Sequence, residues 1–362
     1  MINVTKPYLP SFDEYMKLVK GIWDRNWLTN NGPLVNELEL ELKQYLDINH
    51  LLFVNNGTIA IQIALKALEL GKGEVITTPF SYVATTSSIL WEGFKPVFVD
   101  IDELTLNIDP AKIEAAITED TVAILATHVF GNPCDIDTIQ QIADKHNLKV
   151  IYDAAHCFGT QYKGKSVFHY GDMITTSFHS TKLFHTIEGG AIFTPDANLL
   201  KTAAYMRNFG HNGPENFAGI GINGKNSEFH AAMGLLNIKQ ADAILASRKA
   251  VADEYDNLLQ HSRLLRKPII TPNSKFNYAY YVVIFESETQ LLKVVDELNK
   301  NYVFPRRYFY PSLSELSYLK ETQPTPIGNS ISSRVLSLPV YYGMPKEEIM
   351  MISRLILRVL NN

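Results

Sequence analysis

The chain has 362 residues, of which 46% are hydrophobic and 20% charged, with a formal net charge of −5. Such a composition supports a sizeable core, and such a length predicts one large domain with a smaller companion, or two domains. An acidic balance without a basic run argues against nucleic acid or an anionic membrane as partner, and no apolar stretch approaches the ~20 residues of a membrane span. The opening "MINVTKPYLPSF" lacks the form of a secretory signal, and Cys134 and Cys157 have no metal or redox spacing. A cytoplasmic protein with reduced thiols is therefore expected.

In chain order, residues 11–48 read as helical, interrupted by the loop "NWLTNNGP". The apolar run "NHLLFV" (49–54) predicts a strand, and "NNGT" opens a helix, "TIAIQIALKALEL" (58–70). Strands follow at 73–79, 95–102, 121–131 and 149–155, separated by helix-like "YVATTSSILWEG", "DPAKIEAAI" and "DIDTIQQIADKHN". The alternation predicts an α/β fold with a mostly parallel sheet covered on both faces. Two more strands, 172–179 and 189–195, flank a hairpin-like gap, and 226–259 is a long helical stretch. Strand-like "YAYYVVIF" (278–285) and helix-like "ETQLLKVVDELNKN" predict a smaller α+β domain. The division expected is a large domain, 1–244, and a small one, 245–362.

Three stretches carry chemistry, each with a plainer alternative. In "VNNGTIAIQIAL" a strand turns into a helix at Gly57 and Thr58, whose free N–H groups and positive dipole end suit a phosphate; a bare strand-to-helix turn has the same pattern. In "KVIYDAAHCFG" Asp153 ends an apolar strand, at the end of such sheets where ligands sit, and could hold a cationic ring nitrogen or cap a following helix. In "SFHSTKLFHTIEGGAIF" Lys182 is a lone cation, either a reactive amine or a solvated loop lysine. "GIGING" (219–224) fits the dinucleotide pattern G-x-G-x-x-G but follows a polar loop where a buried strand is required, so that reading is rejected. No serine elbow or HExxH motif is present, and His179 and His185 are not spaced as zinc ligands on one helix face. Phosphate seat, acid, amine and the aromatic Tyr82 are the four handles of pyridoxal 5′-phosphate, which needs a lysine for its aldehyde and a carboxylate for its ring nitrogen.

These motifs, in this order, resemble the sugar aminotransferases of the DegT family, over nearly the whole chain. "VNNGTIAIQIALKAL" is similar to the family's N-G-T-x-A-[LI] turn and helix. "VITTPFSYVATTSSILWEGFKPVFVDID" is similar to its P-x-x-T-[FYW]-x-A-T segment, with Ser81 in place of threonine. "IYDAAHCFGTQYKGK" and "SFHSTKLFHTIEGGA" resemble its D-A-A-[QH] and S-F-H-x-[TS]-K…E-G-G segments. The resemblance implies an aspartate-aminotransferase-like fold with pyridoxal 5′-phosphate as cofactor. It implies Lys182 as the cofactor's lysine, Asp153 as the partner of its ring nitrogen, and His156 beside its ring hydroxyl, where many members have glutamine. Ser177, Gly57 and Thr58 correspond to phosphate contacts, and Tyr82 to the aromatic stacked on the ring. Asn223 corresponds to an asparagine that reaches the cofactor of the neighbouring subunit, so a homodimer with shared sites is implied. Lys225 stands near the place of a common arginine, and Glu188 is read as shaping its loop.

The activity implied is transamination of a nucleotide-linked keto sugar with L-glutamate as donor. The form of the chain is most similar to members making dTDP-4-amino-4,6-dideoxyglucose from the 4-keto-6-deoxy sugar for surface polysaccharide; the alternative acts at C3 of a dTDP-3-keto-6-deoxyhexose. Asn30, Arg307 and Tyr310 are candidates for the sugar nucleotide, or structural residues. A family dehydratase would carry histidine at position 182, and a regulatory protein that keeps the fold without turnover would not need the Asp153–Lys182 pair.

Overall fold

The computed structural model describes every residue except His261, Thr322 and Asn362. Its centre is a seven-stranded sheet of β1 (Leu51–Val54), β2 (Glu74–Thr77), β3 (Lys95–Phe98), β4 (Thr121–Thr127), β5 (Lys149–Asp153), β6 (Met173–Ser177) and β7 (Gly190–Phe193). The strands lie in the order β1-β7-β6-β5-β4-β2-β3. Only β7 runs antiparallel to its neighbours, pairing Gly190 with both Val54 and Ser177. The mostly parallel sheet expected from the alternating pattern is thus present, and the hairpin-like gap around Lys182 joins β6 to β7. The strands are buried along nearly their whole length because helices cover both faces. One layer buries Leu38, Leu42, Phe178 and Ile238, and the other buries Ile61, Leu65, Ile89 and Ile192.

Two helices precede the sheet, α1 (Phe12–Arg25) and α2 (Pro33–Leu46), with the expected loop between them. That loop is pinned by a buried carboxylate: Leu34 N and Val35 N donate to Glu228 at 3.0 and 2.9 Å. Glu228 thereby caps α2, whose own N-cap position, Gly32, has no side chain to do so. Next come α3 (Gly57–Ala67) and α4 (Ala84–Trp91) on the sheet, then α5 (Pro110–Ala116), α6 (Ile136–His146), α7 (Ala197–Arg207) and α8 (Glu228–Ile238).

The smaller unit is a three-stranded antiparallel sheet, β8 (Leu265–Arg266), β9 (Tyr281–Phe285) and β10 (Val335–Leu338), packed with α10 (Glu288–Lys300) and α12 (Lys346–Leu360). The helix α9 (Ala241–Leu259) runs unbroken through position 245. Its Ala241 and Ile244 belong to the large core, while Val251, Ala252, Tyr255 and Leu259 belong to the small one. The helix α11 (Pro326–Arg334) is tied back to the large sheet by Asp100, whose carboxylate accepts from Ile327 N and Gly328 N at 2.9 and 2.8 Å.

Candidate active site

The carboxyl ends of β1, β2, β4, β5 and β6 share one edge of the sheet, and a cavity opens there. It encloses about 1080 Å³ of space, part of it open to solvent, and Gly57, Thr58, Tyr82, Asp153, His156, Ser177 and Lys182 all line it. Backbone proximity builds its narrow end. A Cβ on Gly190 would lie 2.6 Å from Asn56 C, so only glycine lets β7 pass beside the turn into α3. A Cβ on Gly57 would meet Ser177 Cβ at 3.0 Å.

At that turn the cap is Asn56, whose side chain accepts Ile59 N–H at 2.8 Å. The hydroxyl of Thr58 is therefore not spent on capping. Among the described residues Gly57 N–H and Thr58 N–H have no hydrogen-bond partner, so two donors at a positive helix end face the cavity. Ser177 Oγ accepts from His179 N at 3.3 Å, which leaves its own hydrogen to donate.

Asp153 is buried at the end of β5, and no helix follows it, which removes the capping alternative. Its Oδ1 accepts Ala155 N–H at 3.1 Å and its Oδ2 accepts Thr85 O–H at 3.0 Å. Burial raises its pKa, against the pull of those two donors and of Lys182. Burial likewise lowers the pKa of Lys182, against the pull of Asp153, Tyr308 and Tyr82. Lys182 is part-buried and lines the cavity, and desolvation is the largest influence on its amine, so the solvated-loop reading does not hold.

His156 accepts Phe130 N–H at Nδ1 over 3.1 Å, which assigns its proton to Nε2. Burial, then the charge of Lys182, holds its pKa well below the ordinary histidine value, so the ring is a neutral donor. It lies parallel to Phe130 and Phe309, at interplanar angles of 9° and 4°.

The small unit contributes Tyr280, Tyr308 and Phe309 to the cavity wall. Of the "RRYFYPSL" segment, Tyr308 and Phe309 line it, whereas Arg307 is bound to Glu288 and to the Ser333 carbonyl and lies 3.7 Å from the Tyr310 ring centre. Tyr310 and Asn30 stand outside this chain's cavity, Asn30 in the α1–α2 loop with φ of 62°. Glu188 does line it, while its backbone carbonyl accepts from Thr186 and Asn226, as a loop-shaping residue would. Asn223 is exposed outside the cavity, its Oδ1 accepting from Lys225 at 2.8 Å.

A narrow end with open N–H donors, a buried carboxylate, a part-buried amine with no hydrogen-bond partner among the described residues, and a neutral imidazole N–H match pyridoxal 5′-phosphate handle for handle. Fold and cavity together define an enzyme of the aspartate-aminotransferase fold that uses this cofactor. The sequence profile of the DegT/DnrJ/EryC1/StrS aminotransferase family matches residues 12–356, and the chain belongs to that family. It is similar to the dTDP-4-amino-4,6-dideoxy-D-glucose transaminase of Escherichia coli, at 40% identity over 98% of both chains. It is similar to the Shigella dysenteriae protein of the same name, at 42% identity over 94% of both. The solved structure of DesI with its TDP-sugar product superposes with a TM-score of 0.93 at 30% identity, covering 99% of this chain and 93% of the other. Among the described residues no helix is long and apolar enough to cross a membrane.

Proposed function

We propose that this enzyme transfers the amino group of L-glutamate to dTDP-4-keto-6-deoxyglucose, giving 2-oxoglutarate and dTDP-4-amino-4,6-dideoxyglucose. The observation that carries the substrate is the identity of 40% and 42%, over nearly whole chains, with two transaminases of that amino sugar. The site residues match the chemistry. Gly57 N–H, Thr58 and Ser177 would hold the cofactor's phosphate, Tyr82 its ring face, His156 Nε2–H its ring hydroxyl, Asp153 its ring nitrogen and Lys182 its aldehyde carbon. When bound, the cofactor supplies the electron sink that stabilises negative charge at the donor's α-carbon.

The protein's part is proton movement and exclusion of water. Lys182 Nζ removes the proton from the α-carbon of glutamate and, in the return half, delivers a proton to C4 of the sugar. Its burial favours the neutral amine needed for the first act. Asp153 holds a positive charge opposite without sharing its proton, because Thr85 and Ala155 already donate to both its oxygens. Tyr280, Tyr308 and Phe309 wall the reacting atoms from solvent. The assembly proposed is a homodimer in which Asn223, exposed and outside its own cavity, serves the neighbouring site.

The test is to give the purified holoenzyme L-glutamate with dTDP-4-keto-6-deoxyglucose or its 3-keto isomer and to identify the product by NMR. Amination at C4 is expected. Turnover of the 3-keto sugar alone would establish the C3 reading, and no response of the cofactor's absorbance to glutamate would establish a non-catalytic protein.

A further inference from the structure

Asp153 is approached by three buried hydroxyls from three separate elements. Thr127 ends β4, Ser81 lies in the loop after β2, and Thr85 is in the first turn of α4; all three are at most 2% exposed. Thr127 Oγ1 is 3.0 Å from Ser81 Oγ, Ser81 Oγ is 2.8 Å from Thr85 Oγ1, and Thr85 Oγ1 is 3.0 Å from Asp153 Oδ2.

Counting hydrogens gives the row a direction. An ionised carboxylate only accepts, so the single O–H of Thr85 goes to Asp153. Ser81 must then donate to Thr85, and Thr127 to Ser81. Three O–H dipoles in series point at Oδ2, each polarising the next in a medium of low dielectric. Ala155 N–H holds the other oxygen. Both oxygens are fixed on the protein side, leaving the remaining lone pairs to the cavity.

We infer that Thr127, Ser81 and Thr85 form a one-way hydroxyl chain that sets the orientation and the ionised form of Asp153, with Thr85 as the positioning residue for that acid. The inference rests on the assignment of Asp153 to the cofactor's ring nitrogen. It gives a role to two residues of the "PFSYVAT" stretch, Ser81 and Thr85, that touch the cofactor's electronics through Asp153.

Thr85→Val keeps the shape and removes the hydroxyl. In the holoenzyme it is expected to lower kcat roughly 10- to 100-fold, the effect of losing a hydrogen bond to a charged group, with KM for the sugar nucleotide unchanged. Cofactor should also leave the variant faster on dilution. Thr85→Ser, which keeps the hydroxyl, should return kcat to within about threefold of wild type, and Ser81→Ala, one link further out, should cost less than Thr85→Val. In the Asp153→Asn background Thr85→Val should add less than about twofold, because residues acting as one unit are not additive. Wild-type kcat in Thr85→Val, a Thr85→Ser variant as impaired as the valine, or a full additional loss on top of Asp153→Asn would each overturn the chain. Near-normal activity of Asp153→Asn itself would overturn the assignment beneath it, whatever Thr85→Val does.

Discussion

Asparagine at position 153 separates charge from shape. The amide is isosteric with the carboxylate: its one oxygen can still accept Ala155 N–H, 3.1 Å away, while its NH2 faces Thr85 Oγ1, 3.0 Å away, whose hydroxyl turns from donor to acceptor. What it loses is the negative charge opposite a protonated ring nitrogen. A contact charge pair at about 4 Å, in an effective dielectric of about 20, is worth about 4 kcal/mol, or roughly three decades of rate if expressed only in the transition state. Part of that attraction already exists before the α-proton leaves, so a loss of about two to three decades in kcat is expected for Asp153→Asn. The assay is kcat at saturating glutamate and sugar, with bound cofactor counted in the same preparation. Folding gives the opposite sign. Burial raises the pKa of Asp153 in the folded protein, so its ionised form is a destabilising element at all pH above that raised value. The cofactor-free Asp153→Asn protein should therefore melt no lower than the cofactor-free wild type. A kcat within about threefold of wild type, or a lower melting temperature alongside a lost rate, would refute the reasoning, the first for chemistry and the second by making the effect structural.

Three other outcomes follow from the same geometry. His156→Gln should keep kcat within about threefold, because glutamine can accept Phe130 N–H and donate into the cavity as the neutral imidazole does, whereas a hundredfold loss would mean that the imidazole transfers protons. Acid should destabilise the fold through His128, whose pKa burial pushes down to about 3 from 6.5. Below pH 6.5 only the unfolded chain takes that proton, so stability falls by about 1.4 kcal/mol per pH unit, and His128→Asn should remove about 2 kcal/mol of the loss between pH 6.5 and 5 in urea unfolding. In subunit mixing, Lys182→Ala and Asn223→Ala, each strongly impaired alone, should regain about half of the wild-type activity per mixed dimer; no recovery would show that Asn223 serves its own chain.

Much of this was legible in the residues because it is local. A strand that ends in Asp153, a turn that opens α3 at Gly57, and a lone lysine between two apolar runs are properties of contiguous segments, and the parallel sheet puts all strand ends on one edge by construction. The helix Ala197–Arg207 was not, since Ala203 is its only fully buried residue and it carries almost no apolar stripe. The C-terminal helix Lys346–Leu360 does carry one, with Ile349, Ile352, Leu355 and Ile356 buried, but no motif draws the eye to it. Tyr280, Tyr308 and Phe309 reach the cavity through tertiary packing alone: Leu313 N donates to Pro79 O at 2.7 Å and so docks the 306–313 segment against the loop that carries Ser81 and Tyr82. Thr127 reads in sequence as one more residue of an apolar run, and only the fold shows where its hydroxyl points.

The same burial that makes the site reactive makes it costly to keep empty. Asp153 and Lys182 are pushed toward neutrality from opposite sides, and their mutual attraction offsets only part of the desolvation. A ligand that brings a cation to the one and an electrophilic carbon to the other relieves both. The hydroxyl row behind Asp153 and the aromatic stack around His156 meet the site from the protein side: Thr85 donates to the acid, and Phe130 and Phe309 lie parallel to the imidazole. The small unit meets the same site from the far side, since Tyr280, Tyr308 and Phe309 line the cavity and the Phe309 ring lies parallel to that of His156.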